Sequence, residues 1–174
     1  FDPRSARRHF VFNTTDYAAT VLLAPLSQAL ESEAPGITLD MLGLGDRNLE
    51  RLERGEVDIA IYPARNASPD HPSAPLLSDT FSCLLWTGHH LPDGGLTPAH
   101  YAAARHVVAR FGERRMPSYE EAFLSGQHGV NRQVVTSASS FNELAALVVG
   151  TQRIATLQTR LARMYARILP LQLH

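Results

Sequence analysis

Within about sixty residues the chain alternates strand, helix, strand, helix and strand, and this alternation limits the possible folds more than any other feature. Phe10-Val11-Phe12-Asn13 is a short run of β-favouring residues, and Thr14, Thr15 and Asp16 after it are residue types that cap helices. From Tyr17 to Glu33, Leu22, Leu26 and Leu30 recur at helical spacing, which predicts a helix with one apolar stripe facing a core. Pro25 lies inside the pattern, so the helix either kinks there or begins its regular part there; Pro35-Gly36 stops it. Ile37 to Leu42 alternates as a strand, Gly43-Leu44-Gly45 turns the chain, and Asp46 is placed to cap a short helix burying Leu49 and Leu52. Val57 to Tyr62 is a third strand, closed by Pro63. Such an order packs most simply as a parallel sheet covered by helices.

After a polar, proline-rich loop from Ala64 to Pro75, Phe81 to Trp86 is a near-continuous apolar run, expected as a buried strand crossing between lobes. A second alternation follows. It has a helix over Thr97 to Ala104, a strand over Arg105 to Phe111 and a helix from Ser118 through Leu124. Then come a strand over Gln133 to Thr136, a helix after Ser140 ending at Gly150, a strand over Ile154 to Leu157 and a helix over Thr159 to Arg167. Ser118 with Glu121, and Ser140 with Glu143, have the spacing of capping boxes. The expected class is α/β with two lobes, residues 1–80 and 81–174, and no sequence repeat relates them.

Composition excludes several functions. Sixteen basic and seventeen acidic residues leave a net charge of −1, which does not suit a phosphate-gripping surface. Every basic residue is arginine, so no lysine exists for a phosphate-binding P-loop, and neither Gly-x-Ser-x-Gly nor Gly-x-Gly-x-x-Gly occurs. Cys83 is alone, so no intrachain disulfide forms, and in an apolar run it reads as a packed thiol. His89-His90 is a poor metal site because adjacent residues rarely converge on one ion, and His71, His100, His106 and His128 are expected mostly at the surface or in loops. No apolar stretch approaches a membrane span and the N-terminus has no signal-peptide pattern, so the cytoplasm is the expected compartment. No cofactor, metal or catalytic residue is expected.

Several segments, in order, resemble the effector-binding domain of LysR-type transcriptional regulators. They are Leu22 to Leu39 with its Ala34-Pro35-Gly36 ending, and Leu49 to Ile61, where a short helix ends in glycine before an Asp-containing apolar strand. Thr14-Thr15-Asp16-Tyr17, Ser68-Pro69-Asp70-His71-Pro72, Arg110-Phe111-Gly112 and Ala138-Ser139-Ser140-Phe141 are similar to the subgroup of nodulation and aromatic-degradation regulators. The resemblance implies a periplasmic-binding-protein-like (type 2) fold, each lobe a mostly parallel sheet flanked by helices, with a small-molecule inducer between the lobes. It also implies a homodimer or higher homo-oligomer, to which the first helix and the helix after Ser118 contribute. DNA would be reached only through a winged helix-turn-helix absent from this chain, and a C-terminal segment returning to the first lobe is also absent. The alternatives are a solute-binding protein for transport and an enzyme on the same fold.

In open α/β sheets ligands bind beyond the carboxyl ends of the strands. The candidate effector-binding residues there are Thr14, Thr15, Asp16, Leu44 and Tyr62 in the first lobe, and Arg110, Phe111, Ser137, Ser139, Ser140 and Phe141 in the second. The free N–H groups of a helix start after Thr14 would favour a carboxylate. Each residue also has a plainer role. Thr15, Asp16 and Ser140 serve as caps, Tyr62 and Phe111 as core, and Arg110 either binds an acid or forms a structural salt bridge.

Overall fold

The computed structural model describes residues 2–129 and 131–174, the side chains of Gln127 and His128 excepted, so the reading of His128 lies outside the described residues. The chain divides into two compact units, one ending at Leu76 and the other running from Leu77 to His174. The sequence pattern places the change at residue 80.

In the first unit β1 (Arg8–Thr14) is the middle strand of a parallel sheet ordered β2-β1-β3, with β2 spanning Ile37–Gly43 and β3 Ile59–Ile61. Strand β3 is shorter than expected because Asp58 substitutes for a ladder residue. Its carboxylate accepts the Val11 N–H at 2.8 Å while its own N–H donates to the Val11 carbonyl at 2.9 Å. Gly36, where the chain turns into β2, has no room for a side chain, since a Cβ there would stand 2.3 Å from the Ala6 carbonyl oxygen.

The first helix is built in three parts: α1 (Asp16–Ala18), a π turn (Ala19–Leu23) and α2 (Ala24–Glu33). The Ala24 N–H reaches back five residues to the Ala19 carbonyl, and Pro25, which has no N–H, opens the regular helix just after it. The wider turn gives the proline ring room beside the preceding turn. It also inserts one residue into the helical phase. Tyr17, Ala18 and Leu23 are therefore the buried positions, while Leu22 and Leu30 are half-buried and Leu26 is exposed. The expected Leu22–Leu26–Leu30 stripe is corrected accordingly. Helix α3 (Asn48–Glu53) also departs from expectation. Its N-cap is Arg47, not Asp46; Asn48 Oδ1 accepts the Gly45 N–H at 2.8 Å, and Leu49 is exposed.

In the second unit β5 (Arg105–Phe111) lies between β7 (Gln133–Ala138) and β8 (Arg153–Gln158), parallel to both. Strand β8 pairs antiparallel with β4 (Phe81–Trp86), and β4 pairs antiparallel with β9 (Leu171–Leu173), an edge strand the sequence reading leaves out. The two-residue β6 (Met116–Pro117) pairs with the end of β5. Helices α4 (Pro98–Ala103), α5 (Tyr119–His128), α6 (Asn142–Val148) and α7 (Thr159–Ala166) complete the unit, α6 and α7 packing against β4 and β8. Leu84, Leu85, Val107, Leu144, Val148, Ile154, Leu157 and Leu161 are wholly buried and form its core. No helix among the described residues is long and apolar enough to cross a membrane.

Leu144→Ala is expected to destabilise the chain by about 2–5 kcal/mol, read from the urea midpoint. Leu76→Ala, at a position 65% exposed, should stay within about 0.5 kcal/mol.

Candidate functional site

Parallel register assembles the first set of residues. Thr14 stands opposite both Gly43 and Ile61, so Thr15, Leu44 and Tyr62, each one residue further on, follow three adjacent strand ends. The fully buried Asn13 ties these ends together. Its Nδ2 donates to the carbonyls of Leu42 (3.2 Å) and Gly43 (3.0 Å), and its Oδ1 accepts from the Tyr62 hydroxyl. Burial raises the Tyr62 pKa, which keeps the phenol protonated as the donor that Asn13 requires. Thr15 Oγ1 accepts the Ala18 N–H at 3.3 Å and Asp16 supplies a carboxylate in the same turn, so this helix start is already capped and acidic. It is a poor place for a ligand's carboxylate. Asn13 is not among the sequence-derived candidates; its signal is an amide at the end of an apolar strand.

The second set splits into two roles. Phe111 and Phe141 meet with ring centres 5.3 Å apart, Phe141 buried and Phe111 half-buried. Ser137 lies opposite Val108 near the end of β7, where Arg115 donates to both its carbonyl and its hydroxyl oxygen. Ser140 Oγ accepts the Glu143 N–H at 3.3 Å and the Glu143 carboxylate accepts the Ser139 N–H at 3.2 Å, so these serines organise the entry to α6. Of the two roles open to Arg110, the structure shows the salt bridge. Its Nε and Nη2 donate to the two carboxylate oxygens of Glu121 at 3.2 and 2.8 Å, and this pairing raises its pKa. Glu121 therefore does not close the capping box; Ser118 Oγ alone accepts the Glu121 N–H.

Deeper in this unit is a polar cluster that sequence reasoning misses. Arg132 Nη1 donates to Glu120 Oε1, with side chains only 3% and 1% exposed, and also to the Tyr101 hydroxyl at 3.1 Å. That hydroxyl lies 2.7 Å from Thr156 Oγ1, and Ser118 Oγ donates to Glu120 at 3.3 Å. Burial pushes the Glu120 carboxyl up, against the pull of Arg132. The thiol of Cys83 also has a raised pKa, chiefly from burial, and reacts poorly as a result. His106, expected near the surface, is wholly buried. Its Nε2 lies 2.7 Å from the Tyr101 carbonyl oxygen, which can only accept, so Nε2 carries the proton; Nδ1 is buried without a partner. His89 meets not His90 but His100, Nε2 to Nε2 at 3.2 Å. Among the described residues no three His, Cys, Asp or Glu side chains are grouped to hold a metal.

The family model for the LysR substrate binding domain matches residues 3–173. The chain belongs to the LysR substrate-binding domain family. It is 35% identical over 173 residues to nodulation protein D 3 of Rhizobium leguminosarum bv. phaseoli, covering 99% of this chain and 57% of that protein. Nodulation protein D 1 of Mesorhizobium japonicum is 34% identical over 174 residues, with 99% and 55% covered. The domain thus spans about half the length of the curated relatives it matches. Among solved structures, a probable transcriptional regulator of Pseudomonas aeruginosa, PA0477, superposes with TM-score 0.88 at 26% identity, covering all of this chain and 58% of that one. The regulatory domain of MexT, a transcriptional activator of the same organism, superposes with TM-score 0.78 at 24% identity, covering 98% and 82%, and supports the fold.

Two tests of this LysR substrate-binding domain follow from the buried cluster. Arg132→Met leaves Glu120 buried and unpaired, and is expected to cost about 3–5 kcal/mol in urea unfolding. Adding Glu120→Gln should recover most of that loss. Burial holds His106 at a pKa of about 4, below its ordinary 6.5. The unfolded chain therefore takes up the proton first, and stability present in full above pH 6.5 is lost as the pH falls from 6.5 towards 4. The loss contributed by His106 is on the order of 3 kcal/mol. Melting temperatures over that window should show it, and His106→Gln should flatten the acid limb.

Proposed function

We propose that the domain is the inducer-sensing part of a bacterial LysR-type transcriptional regulator, and that it binds a small effector between its two units to control transcription. DNA contact in this reading belongs to a winged helix-turn-helix elsewhere in the full-length protein. What supports the reading most is the composition of the two sheet edges within a chain of this family. Hydroxyls (Thr14, Thr15, Ser137), a phenol (Tyr62) and an aromatic pair (Phe111 with Phe141) occupy the carboxyl ends of the strands. These groups orient a ligand by hydrogen bonds and apolar contact. An effector bound better by one arrangement of the units shifts the population towards it, and a difference of ~1–3 kcal/mol is enough for regulation.

The test is thermal melting of the 174-residue chain against small aromatic and aliphatic acids, flavonoids and neutral controls. A saturable rise is expected, a few degrees at a hundredfold excess over Kd, and lost in Phe111→Ala. A rise that survives Phe111→Ala and Tyr62→Phe would move the ligand elsewhere. Chemical turnover of the bound compound would replace a sensor by an enzyme.

A further inference from the structure

The second unit has three arginines whose side chains reach partners around the β5 and β7 ends, and their charges are not balanced alike. Arg110 is matched by Glu121 and Arg132 by Glu120. Arg115 has only neutral partners, the Ser137 carbonyl at 3.4 Å and the Ser137 hydroxyl. No carboxylate among the described residues pairs with it, Glu113 of the same turn included.

The backbone beneath Arg115 is unusual as well. Its φ of 50° is the only positive value at a non-glycine residue among those described. A side chain in that region costs of order 1 kcal/mol, and glycine or asparagine would fit more easily. The position is also held firmly. Arg110 and Phe111 pair antiparallel with Pro117 and Met116, so residues 112–115 form a turn anchored at both ends, with the Arg115 N–H donating to the Gly112 carbonyl at 3.2 Å. A strained turn closed by the β5–β6 pair thus carries a guanidinium to the end of β7, beside the strand end that carries Phe111. A guanidinium prefers an anion to neutral oxygens, because a charged acceptor roughly doubles the strength of each hydrogen bond.

From this charge balance we infer that Arg115, and not Arg110, is the anion-recognising residue of the effector site. The ligand it selects carries a carboxylate or similar anion next to an aromatic or apolar body. The inference rests on the sensor reading above and names the ligand class of that same site. The anion takes the free donors of Arg115 with Ser137 beside it, and the apolar body lies against Phe111.

The experiment is calorimetric titration of the 174-residue chain with benzoate and cinnamate and with their neutral amides. It is repeated for Arg115→Gln, Arg115→Gly, Arg110→Gln and Phe111→Ala. The acids should bind roughly tenfold or more tightly than the amides. Arg115→Gln should erase that preference, while Arg110→Gln keeps it. Arg115→Gly should erase the preference and raise the melting temperature, because it relieves the backbone; a purely structural arginine would lower it. Acids and amides that bind equally, with both lost in Phe111→Ala, would overturn the role of Arg115 and leave the sensor reading in place. A preference that persists in Arg115→Gln would overturn it too. Binding of none of the four compounds, with another compound of the wider panel still raising the melting temperature, would overturn the role of Arg115 and leave the sensor reading in place.

Discussion

A parallel sheet leaves the last residues of neighbouring strands side by side, and each strand must then leave by a loop or helix from the same edge. In the first unit this rule places Thr14 between Gly43 and Ile61. In the second it places the ends of β5 and β7 together, with Ser137 opposite Val108 and Ala138 opposite Ala109. The shared edge thereby collects hydroxyls and rings from distant stretches of sequence. The polar groups that reinforce these edges follow from the same constraint. Where three strands stop together their carbonyls lose ladder partners, and a buried amide such as Asn13 satisfies two of them at once.

The helices divide the remaining work by how they begin. Helix α4 starts on Thr97, whose Oγ1 accepts the His100 N–H, and α5 starts on Ser118, which accepts the Glu121 N–H. In α5 the cap frees both acids of the first turn for other partners. The sheet is therefore connected to its covering helices through charge as well as through packed leucines. Buried ion pairs add little net stability compared with apolar contacts of the same size, so the value of this one lies in geometry.

Elements governed by local pattern were legible in the sequence. The Phe81–Trp86 run and the Arg105–Phe111 strand coincide with β4 and β5, and Ser118 caps α5 as its position suggests. Features governed by non-local partners were not. The π turn before Pro25 shifts the buried face from Leu22 to Leu23 by one residue, and a strict 3.6-residue count has no way to register that. Arg132 and Glu120 find each other across the α5 helix and the loop after it, so neither looks different from a surface charge. Strand β9 was missed although Leu169, Leu171 and Leu173 alternate, because three residues on a sheet edge are too few to distinguish from a tail. For the candidate site the strand ends were legible and the division of labour was not. Arg110 was visible as a cation but its engagement by Glu121 was not, and Arg115 lies in a turn whose backbone shape no residue pattern announces.

The two acids at the start of α5 are consecutive, yet one points into the unit towards Arg132 and the other towards Arg110 at the end of β5. Neighbouring helical residues project about 100° apart, so a single rotation and a single height of the helix satisfy both pairs. A slip of one residue would put Tyr119 or Ala122 where a carboxylate is required and leave one of the two guanidiniums unmatched. The Glu120-Glu121 dipeptide thus works as a key with two teeth. It indexes α5 against the sheet in a way apolar packing does not, because leucines tolerate a sliding partner and two carboxylates about 100° apart do not.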